Sequence, residues 1–136
     1  MGASVETLIH HGLPRASGGS PAHRTHEIAL SRAFDRELFG QRLADLGMAQ
    51  QMIADNEIDL VTARALLWQT HREVTEGGRG TDPSSRAKVF VSEAFDRVVD
   101  HSVQLAGGPR TGEDLVIGRV YAGPAPLGVG CRALQK

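Results

Sequence analysis

The sequence has little cysteine, no long apolar run and no excess of either charge. Its single cysteine, Cys131, cannot form an intramolecular disulfide, which suits a reducing compartment. No apolar stretch approaches the ~20 residues that span a bilayer, and the N-terminus lacks the basic and apolar segments of a secretory signal. The net charge of −1, with Lys and Arg scattered among Asp and Glu, argues against a nucleic-acid partner. These features predict a cytoplasmic protein without a membrane or nucleic-acid partner.

The 136 residues form a chain of one domain's length, and they divide into three zones. Residues 1–21 include HHGLPRASGGSP, whose prolines and Gly-Gly pair predict an irregular leader. Residues 22–121 carry helical periodicity and are predicted to form the domain. Residues 122–136, AGPAPLGVGCRALQK, are rich in Gly and Pro, contain no acidic residue and are predicted to be an irregular tail.

Apolar residues at helical spacing predict two helices in the first half of the domain. Leu30, Phe34 and Leu38 follow one another at four-residue steps, which predicts a first helix ending near Gly40. A second apolar pattern with seven-residue intervals predicts a long helix that runs to about Thr75 and includes Leu46, Ile53, Leu60 and Leu67. Glycine inside a helix is unfavourable by roughly 0.5 to 1 kcal/mol relative to alanine. We interpret Gly40 as a turn, whereas the sequence gives no reason for Gly47.

A third helix is predicted after the Gly-rich segment EGGRGTDPSS. Asp82 offers a helix cap with Pro83 at the first helical position, and Gly107 with Gly108 offers a C-terminal stop. Five apolar positions between them lie near one helical face: Ala87, Val91, Ala94, Val98 and Leu105. Residues 112–121, GEDLVIGRVY, are compatible with one further short helix.

The low aromatic content of 4% and the absence of alternating strand patterns predict an all-α fold, a helical bundle. Such a bundle usually closes with four helices, because each apolar stripe needs a partner. The sequence patterns give three long helices and no fourth. We therefore expect apolar surface to stay exposed on the second and third helices, and we expect a dimer or a larger homo-oligomer.

Two short segments carry the candidate binding residues. Arg36 and Phe39 lie near a predicted helix end, where a guanidinium could reach a phosphate and a ring could pack on a flat ligand. Gln104 comes just before Gly107 and Gly108, where an amide could pair with a ligand and the glycines permit close approach. Taken singly, an exposed Arg, a core Phe and a glycine cap are the commoner interpretations. The occurrence of both segments around a long helical pair favours a binding site.

The order of three segments resembles the C-terminal helical domain of the acyl-CoA dehydrogenases. The segments are RELFGQRL, QQMIADNEIDLVTARALL and SSRAKVFVSEAFDRVVDHSVQLAGG, and the resemblance covers about residues 22–121. The resemblance is strongest to the animal members of the family that carry a phosphotransferase-like extension, and to their bacterial relatives. The pairing of Arg-x-x-Phe-Gly with Gln-x-x-Gly-Gly is its most specific part.

The resemblance implies an FAD site and a place in an oligomer. In this family the domain is a four-helix bundle at the core of a tetramer, and the Arg of Arg-x-x-Phe-Gly contacts the FAD of a neighbouring subunit. The matching positions are Arg36 and Phe39, with Leu38 where relatives often have Thr or Ser. The Gln and Gly-Gly of the second motif also face FAD, which implies Gln104, Gly107 and Gly108. Possible partners are further copies and other acyl-CoA dehydrogenase subunits.

The chain departs from the family in the parts that carry out the reaction. The family reaction needs a carboxylate base beyond the RVY-like segment, and here no Asp or Glu follows Asp114. The final helix and the other two domains of the family are not evident, so we assign no catalytic residue and expect no turnover by this chain alone. The tail suggests truncation or a change of reading frame. The alternative function is a non-enzymatic helical module for oligomerisation or for binding a protein partner.

Other polar residues give weaker indications of chemistry. His10-His11 and His23-x-x-His26 are not completed to a metal site by Cys or carboxylate, so we predict no metal and interpret these histidines as surface residues. Asp100 and His101 are sequence neighbours on different sides of a helix and do not suit a catalytic pair. Ser84 and Ser85 are predicted to cap the third helix, and Trp68 is predicted to pack inside the bundle.

Overall fold

The computed structural model describes residues 21–77 and 81–107. Three long helices dominate these residues: α1, Pro21–Asp35; α2, Gly47–Thr75; and α3, Thr81–Ala106. A hairpin of two short strands, β1 (Glu37–Leu38) and β2 (Gln41–Arg42), and a 3₁₀ helix, Leu43–Asp45, connect α1 to α2. The predicted all-α fold is confirmed. The leader before Pro21, the segment 112–121 and the tail 122–136 lie outside the described residues.

The first helix ends five residues earlier than predicted, and a tight hairpin follows it. Strand residue Leu38 pairs with Gln41, so Phe39 and Gly40 are the two turn residues, with φ of +55° and +80°. Positive φ at both positions is what a two-residue type I′ hairpin requires. The four-residue spacing of Leu30, Phe34 and Leu38 was therefore misleading: Leu38 belongs to the hairpin, and Phe34 is exposed. The prediction of a turn at Gly40 is confirmed.

Gly47 is the first residue of α2, which explains how the sequence tolerates it. The preceding residue, Leu46, is the N-cap in an extended conformation, so Gly47 lies at a helix end and not in a helix interior. A Cβ atom at this position would meet nothing within 4 Å. The interior penalty for glycine does not apply there, and the structure shows no close approach that would require glycine.

The helices pack mainly through small side chains. Helix α3 packs against both α1 and α2, which contact each other over a shorter stretch. Alanines lie at these interfaces on every helix and are almost fully buried: Ala29, Ala33, Ala49, Ala63, Ala87 and Ala94. Small side chains allow helix axes to approach closely. Near the hairpin, Leu43 and Leu105 are buried in the same hydrophobic cluster as Ala29, Ala33 and Ala49.

A charged pair also joins α2 to α3. The Nε and Nη2 atoms of Arg97 donate to the two carboxylate oxygens of Asp59, each at 2.8 Å. The guanidinium also lies 6.0 Å from the centre of the Phe90 ring. This two-point contact favours the observed axial register of the two longest helices, because either helix would lose both bonds on sliding by one turn. No helix within residues 21–77 and 81–107 is both long and apolar enough to cross a membrane.

Candidate functional site

The hairpin between α1 and α2 holds the backbone of Arg36 from both sides. The Arg36 amide donates to the carbonyl of Arg32 at 2.9 Å, which completes the last turn of α1. The Arg36 carbonyl accepts from the amide of Leu43 at 2.7 Å, across the base of the hairpin. These two bonds fix where the side chain leaves the backbone. The guanidinium itself is exposed, so it is placed precisely and still accessible to a ligand.

Folding brings Arg36 against Gly107, although 71 residues separate them in the sequence. The Nη1 atom of Arg36 donates to the Gly107 carbonyl at 3.1 Å. Gly107 has φ of +56°, and a Cβ atom there would overlap the guanidinium. The position favours glycine for its left-handed backbone, and a side chain there would displace the end of Arg36 from this contact. Both sequence segments predicted to form a site meet at this contact.

Phe39 occupies the tip of the hairpin and is 93% exposed. Its φ of +55° is rare for an aromatic residue, and left-handed backbone is unfavourable by about 1 to 2 kcal/mol for a residue with a Cβ atom. Neither burial nor backbone preference accounts for phenylalanine here. Strained and exposed residues of this kind cluster at binding sites, so the position favours a role in recognition.

The structure describes two of the remaining predicted site residues, Leu38 and Gln104. Leu38 is half-buried and packs against the core cluster, so in this structure its side chain anchors the hairpin. Gln104 is exposed on the last turn of α3, where its Nε2 atom donates to Asp100 at 3.4 Å. Gly108 lies outside the described residues. Binding of a ligand by any of these residues remains a prediction.

A buried polar cluster, which the sequence analysis missed, joins all three helices. Asn56 of α2 is fully buried between two histidines. Its Oδ1 atom lies 2.9 Å from Nδ1 of His101 in α3, and its Nδ2 atom lies 3.2 Å from Nδ1 of His26 in α1. The Nε2 atom of His26 lies 3.1 Å from a carboxylate oxygen of Glu57. The sequence did contain one indication of this cluster. Asn56 lies seven residues from both Ala49 and Ala63, so it falls on the same buried face of α2 as these two apolar residues.

The donors and acceptors of this cluster assign its protons. If Asn56 donates through Nδ2, then Nδ1 of His26 must accept, and the single proton of the His26 ring lies on Nε2 and points to Glu57. Burial lowers the pKa of His26 below its ordinary value of 6.5, and this effect exceeds the opposing effect of the Glu57 carboxylate. The neutral form of His26 therefore predominates at pH 7.

Three further sequence expectations are wrong. His26 is 2% exposed and is not a surface histidine, because Asn56 and its neighbours cover it. Trp68 does not pack inside the bundle and is 57% exposed. Helix α3 begins at Thr81, so Ser84 and Ser85 lie within its first turns and do not cap it. Across residues 21–77 and 81–107, no group of three His, Cys, Asp or Glu side chains could hold a metal ion.

The contact of Arg36 with Gly107, together with Phe39, defines the candidate site. A guanidinium has five N–H donors, of which the Gly107 carbonyl takes one, so the others can bind an anionic group. The exposed ring of Phe39 offers a flat apolar face on the same hairpin. Arginine at neutral pH is neither a nucleophile nor a base, and phenylalanine has no ionisable group. The arrangement suits binding of a ligand that is both flat and anionic and does not by itself suit bond cleavage.

Comparison with known proteins gives the family. The family model described as acyl-CoA dehydrogenase, C-terminal domain, matches residues 12–123, most of the chain. The match includes the whole candidate site and all three helices. The chain therefore belongs to the acyl-CoA dehydrogenase family and corresponds to the C-terminal domain of its members.

Individual relatives agree with this assignment. Cyclohexane-1-carbonyl-CoA dehydrogenase of Geobacter metallireducens is 30% identical over 68% of this chain and 24% of its own length. Acyl-CoA dehydrogenase family member 11 of Gallus gallus is 30% identical over 84% of this chain and 14% of its own length. The solved structure of PigA with FAD and proline superposes with a TM-score of 0.68 at 21% identity, over 76% of this chain and 27% of that one, and shows the same fold. The chain thus spans about a quarter or less of these proteins, and the predicted resemblance is confirmed at the level of the family.

Proposed function

We propose that this chain serves as the FAD-contacting helical domain of an acyl-CoA dehydrogenase, with Arg36 and Phe39 facing the FAD of a neighbouring subunit. The observation that carries the proposal is the contact between Arg36 and Gly107, which unites two segments implied by the family resemblance. FAD combines a flat ring system with a negatively charged pyrophosphate. The exposed guanidinium suits the charge, and the exposed ring of Phe39 suits a flat surface.

Under this proposal Gln104, Gly107 and Gly108 line the other side of the cofactor, and Leu38 supports the hairpin. Gly107 keeps its side of the site open, since any larger residue would displace the guanidinium. The domain itself is proposed to comprise residues 22–121, within the range that matches the family model. We propose that it acts in the cytoplasm, in an assembly with further copies or with other acyl-CoA dehydrogenase subunits.

We propose no catalytic residue in this chain and expect no acyl-CoA oxidation by it alone. The family reaction removes a proton next to a thioester, and this step requires a carboxylate base beside the substrate. Neither Arg36 nor Phe39 can act as that base. The contribution of the chain is to hold the cofactor. When bound, FAD would accept the hydride from the substrate.

FAD titration tests the proposal. Calorimetry or flavin fluorescence with the full chain should show saturable binding, and Arg36→Ala should weaken it by about 1.5 to 3 kcal/mol, roughly 10- to 150-fold. Arg42→Ala is the matched control, because Arg42 is an exposed arginine on the second strand of the same hairpin. Binding that is equal in the Arg36 and Arg42 variants would place the flavin elsewhere. Protein that does not respond to FAD and still forms a stable complex would favour the non-enzymatic interaction module.

A further inference from the structure

The buried polar cluster places one side-chain amide between two imidazole rings. Asn56 is fully buried, and its Oδ1 and Nδ2 atoms face Nδ1 of His101 at 2.9 Å and Nδ1 of His26 at 3.2 Å. The other ring nitrogen of His26, Nε2, lies 3.1 Å from a carboxylate oxygen of Glu57. Each of the three long helices contributes at least one of these residues, so the cluster links α1 to both α2 and α3.

An amide offers one acceptor atom and one donor group, and this limits the protons that the two rings can carry. The amide oxygen needs a ring nitrogen that carries a proton, whereas the amide NH₂ group needs a ring nitrogen without one. In the orientation described, Nδ1 of His101 therefore carries a proton and Nδ1 of His26 does not. Rotation of the Asn56 amide by half a turn exchanges these two roles. In either orientation, only one of the two Nδ1 atoms carries a proton.

A positively charged imidazole has protons on both nitrogens, so its Nδ1 atom can face only the amide oxygen. His101 can be charged with the amide in the orientation described, and His26 can be charged after the half-turn. If both rings were charged, one ring N–H group would point at the NH₂ group of Asn56. Asn56 and His26 are almost fully buried, so water does not readily replace the lost hydrogen bond.

We propose that Asn56 makes His26 and His101 mutually exclusive sites of positive charge, so that the folded cluster binds one added proton and not two. A second proton breaks a bond between the amide and a ring, and this weakens the junction of α1 with the other helices. The cluster is thus a pH-sensitive contact that limits the acidity at which the three helices stay packed. This property goes beyond the proposed function and does not depend on flavin binding.

Charged groups around His26 come from its own helix and from α2. Burial has the largest effect on His26 and lowers its pKa, the carboxylates of Glu57 and Glu27 oppose this effect, and His23 adds to it. From α3, His101 faces His26 across the shared amide. These groups change how readily His26 is charged. They do not lift the exclusion, because none of them gives the amide a second acceptor atom.

NMR titration of the full chain, with ¹⁵N-labelled imidazole rings, tests the exclusion. Long-range ¹H–¹⁵N spectra distinguish a ring protonated on Nδ1, on Nε2 or on both. As the pH is lowered, the folded cluster should take up one proton, and the second should appear only with loss of the native spectrum. If His26 is the ring that is charged, the proton of His101 should move from Nδ1 to Nε2.

Three results would overturn the proposal. The first is a native spectrum in which both rings are charged. The second is a neutral His101 that keeps its Nδ1 proton while His26 is charged. The third is a cluster that takes up no proton before the chain unfolds.

Substitutions test the role assigned to Asn56. Asn56→Asp offers two acceptor oxygens in nearly the same shape, so both rings should be charged together in the folded protein. His101→Gln can either donate to the amide or accept from it, so the pKa of His26 should rise. His71→Gln is the matched control, since His71 lies outside the cluster and packs against Trp68. Equal pKa values of His26 in the two glutamine variants, or a folded Asn56→Asp variant with only one charged ring, would refute that role. If Asn56→Asp does not fold, the spectrum of the parent chain still decides.

Discussion

Replacement of Gly107 by alanine should destabilise the fold through two separable effects. The first is the backbone: with φ of +56°, an alanine is unfavourable by about 1 to 2 kcal/mol. The second is the Arg36 contact, because the new Cβ atom would overlap the guanidinium. The end of an arginine side chain moves easily, so the steric part is small, and the loss is mainly the hydrogen bond to the Gly107 carbonyl, about 1 kcal/mol for an exposed bond.

A double-mutant cycle separates these effects. Urea denaturation followed by circular dichroism should give a loss of about 2 to 3 kcal/mol in the free energy of unfolding for Gly107→Ala, from the sum of the two effects. In a background that carries Arg36→Ala, the same substitution should be about 1 kcal/mol less destabilising. Gly77→Ala is a control for the backbone effect, since Gly77 has φ of +88° and open space around it. Additive effects of the Arg36 and Gly107 substitutions would refute the role assigned to this contact.

Three further predictions concern contacts between the helices. NMR titration of the His26 ring should give a pKa below 6.5. Since the unfolded chain then binds more protons, the free energy of unfolding should fall as pH decreases below 6.5. A pKa at or above 6.5 would contradict the conclusion that burial outweighs the effect of the Glu57 carboxylate. Arg97→Ala should destabilise by about 1 kcal/mol, and the loss should be smaller in an Asp59→Ala background, as measured by urea denaturation. Leu67→Ala should be unfavourable by about 2 to 5 kcal/mol because Leu67 is 2% exposed, and a thermal midpoint equal to that of the parent would refute its place in the core.

The sequence by itself determined the helical class and most of the two long helices. The end of α2 at Thr75 and the end of α3 before Gly107 agree with the patterns, because helical periodicity and a glycine stop are local properties of the chain. The end of α1 could not be read in the same way. Leu38 is in phase with the helix that precedes it, and only the hairpin, closed by the bond from Leu43 to Arg36, removes it from that helix.

Tertiary structure decided which residues meet and which are buried. Nothing near Arg36 in the sequence indicates that its guanidinium contacts Gly107, and nothing near His26 indicates that Asn56 and a third helix cover it. Trp68 shows the opposite case: its apolar side chain suggested burial, but it lies on the face of α2 turned away from α1 and α3. Periodicity gives the faces of a helix, whereas burial depends on which face another helix covers, and that is fixed by contacts between residues far apart in the chain.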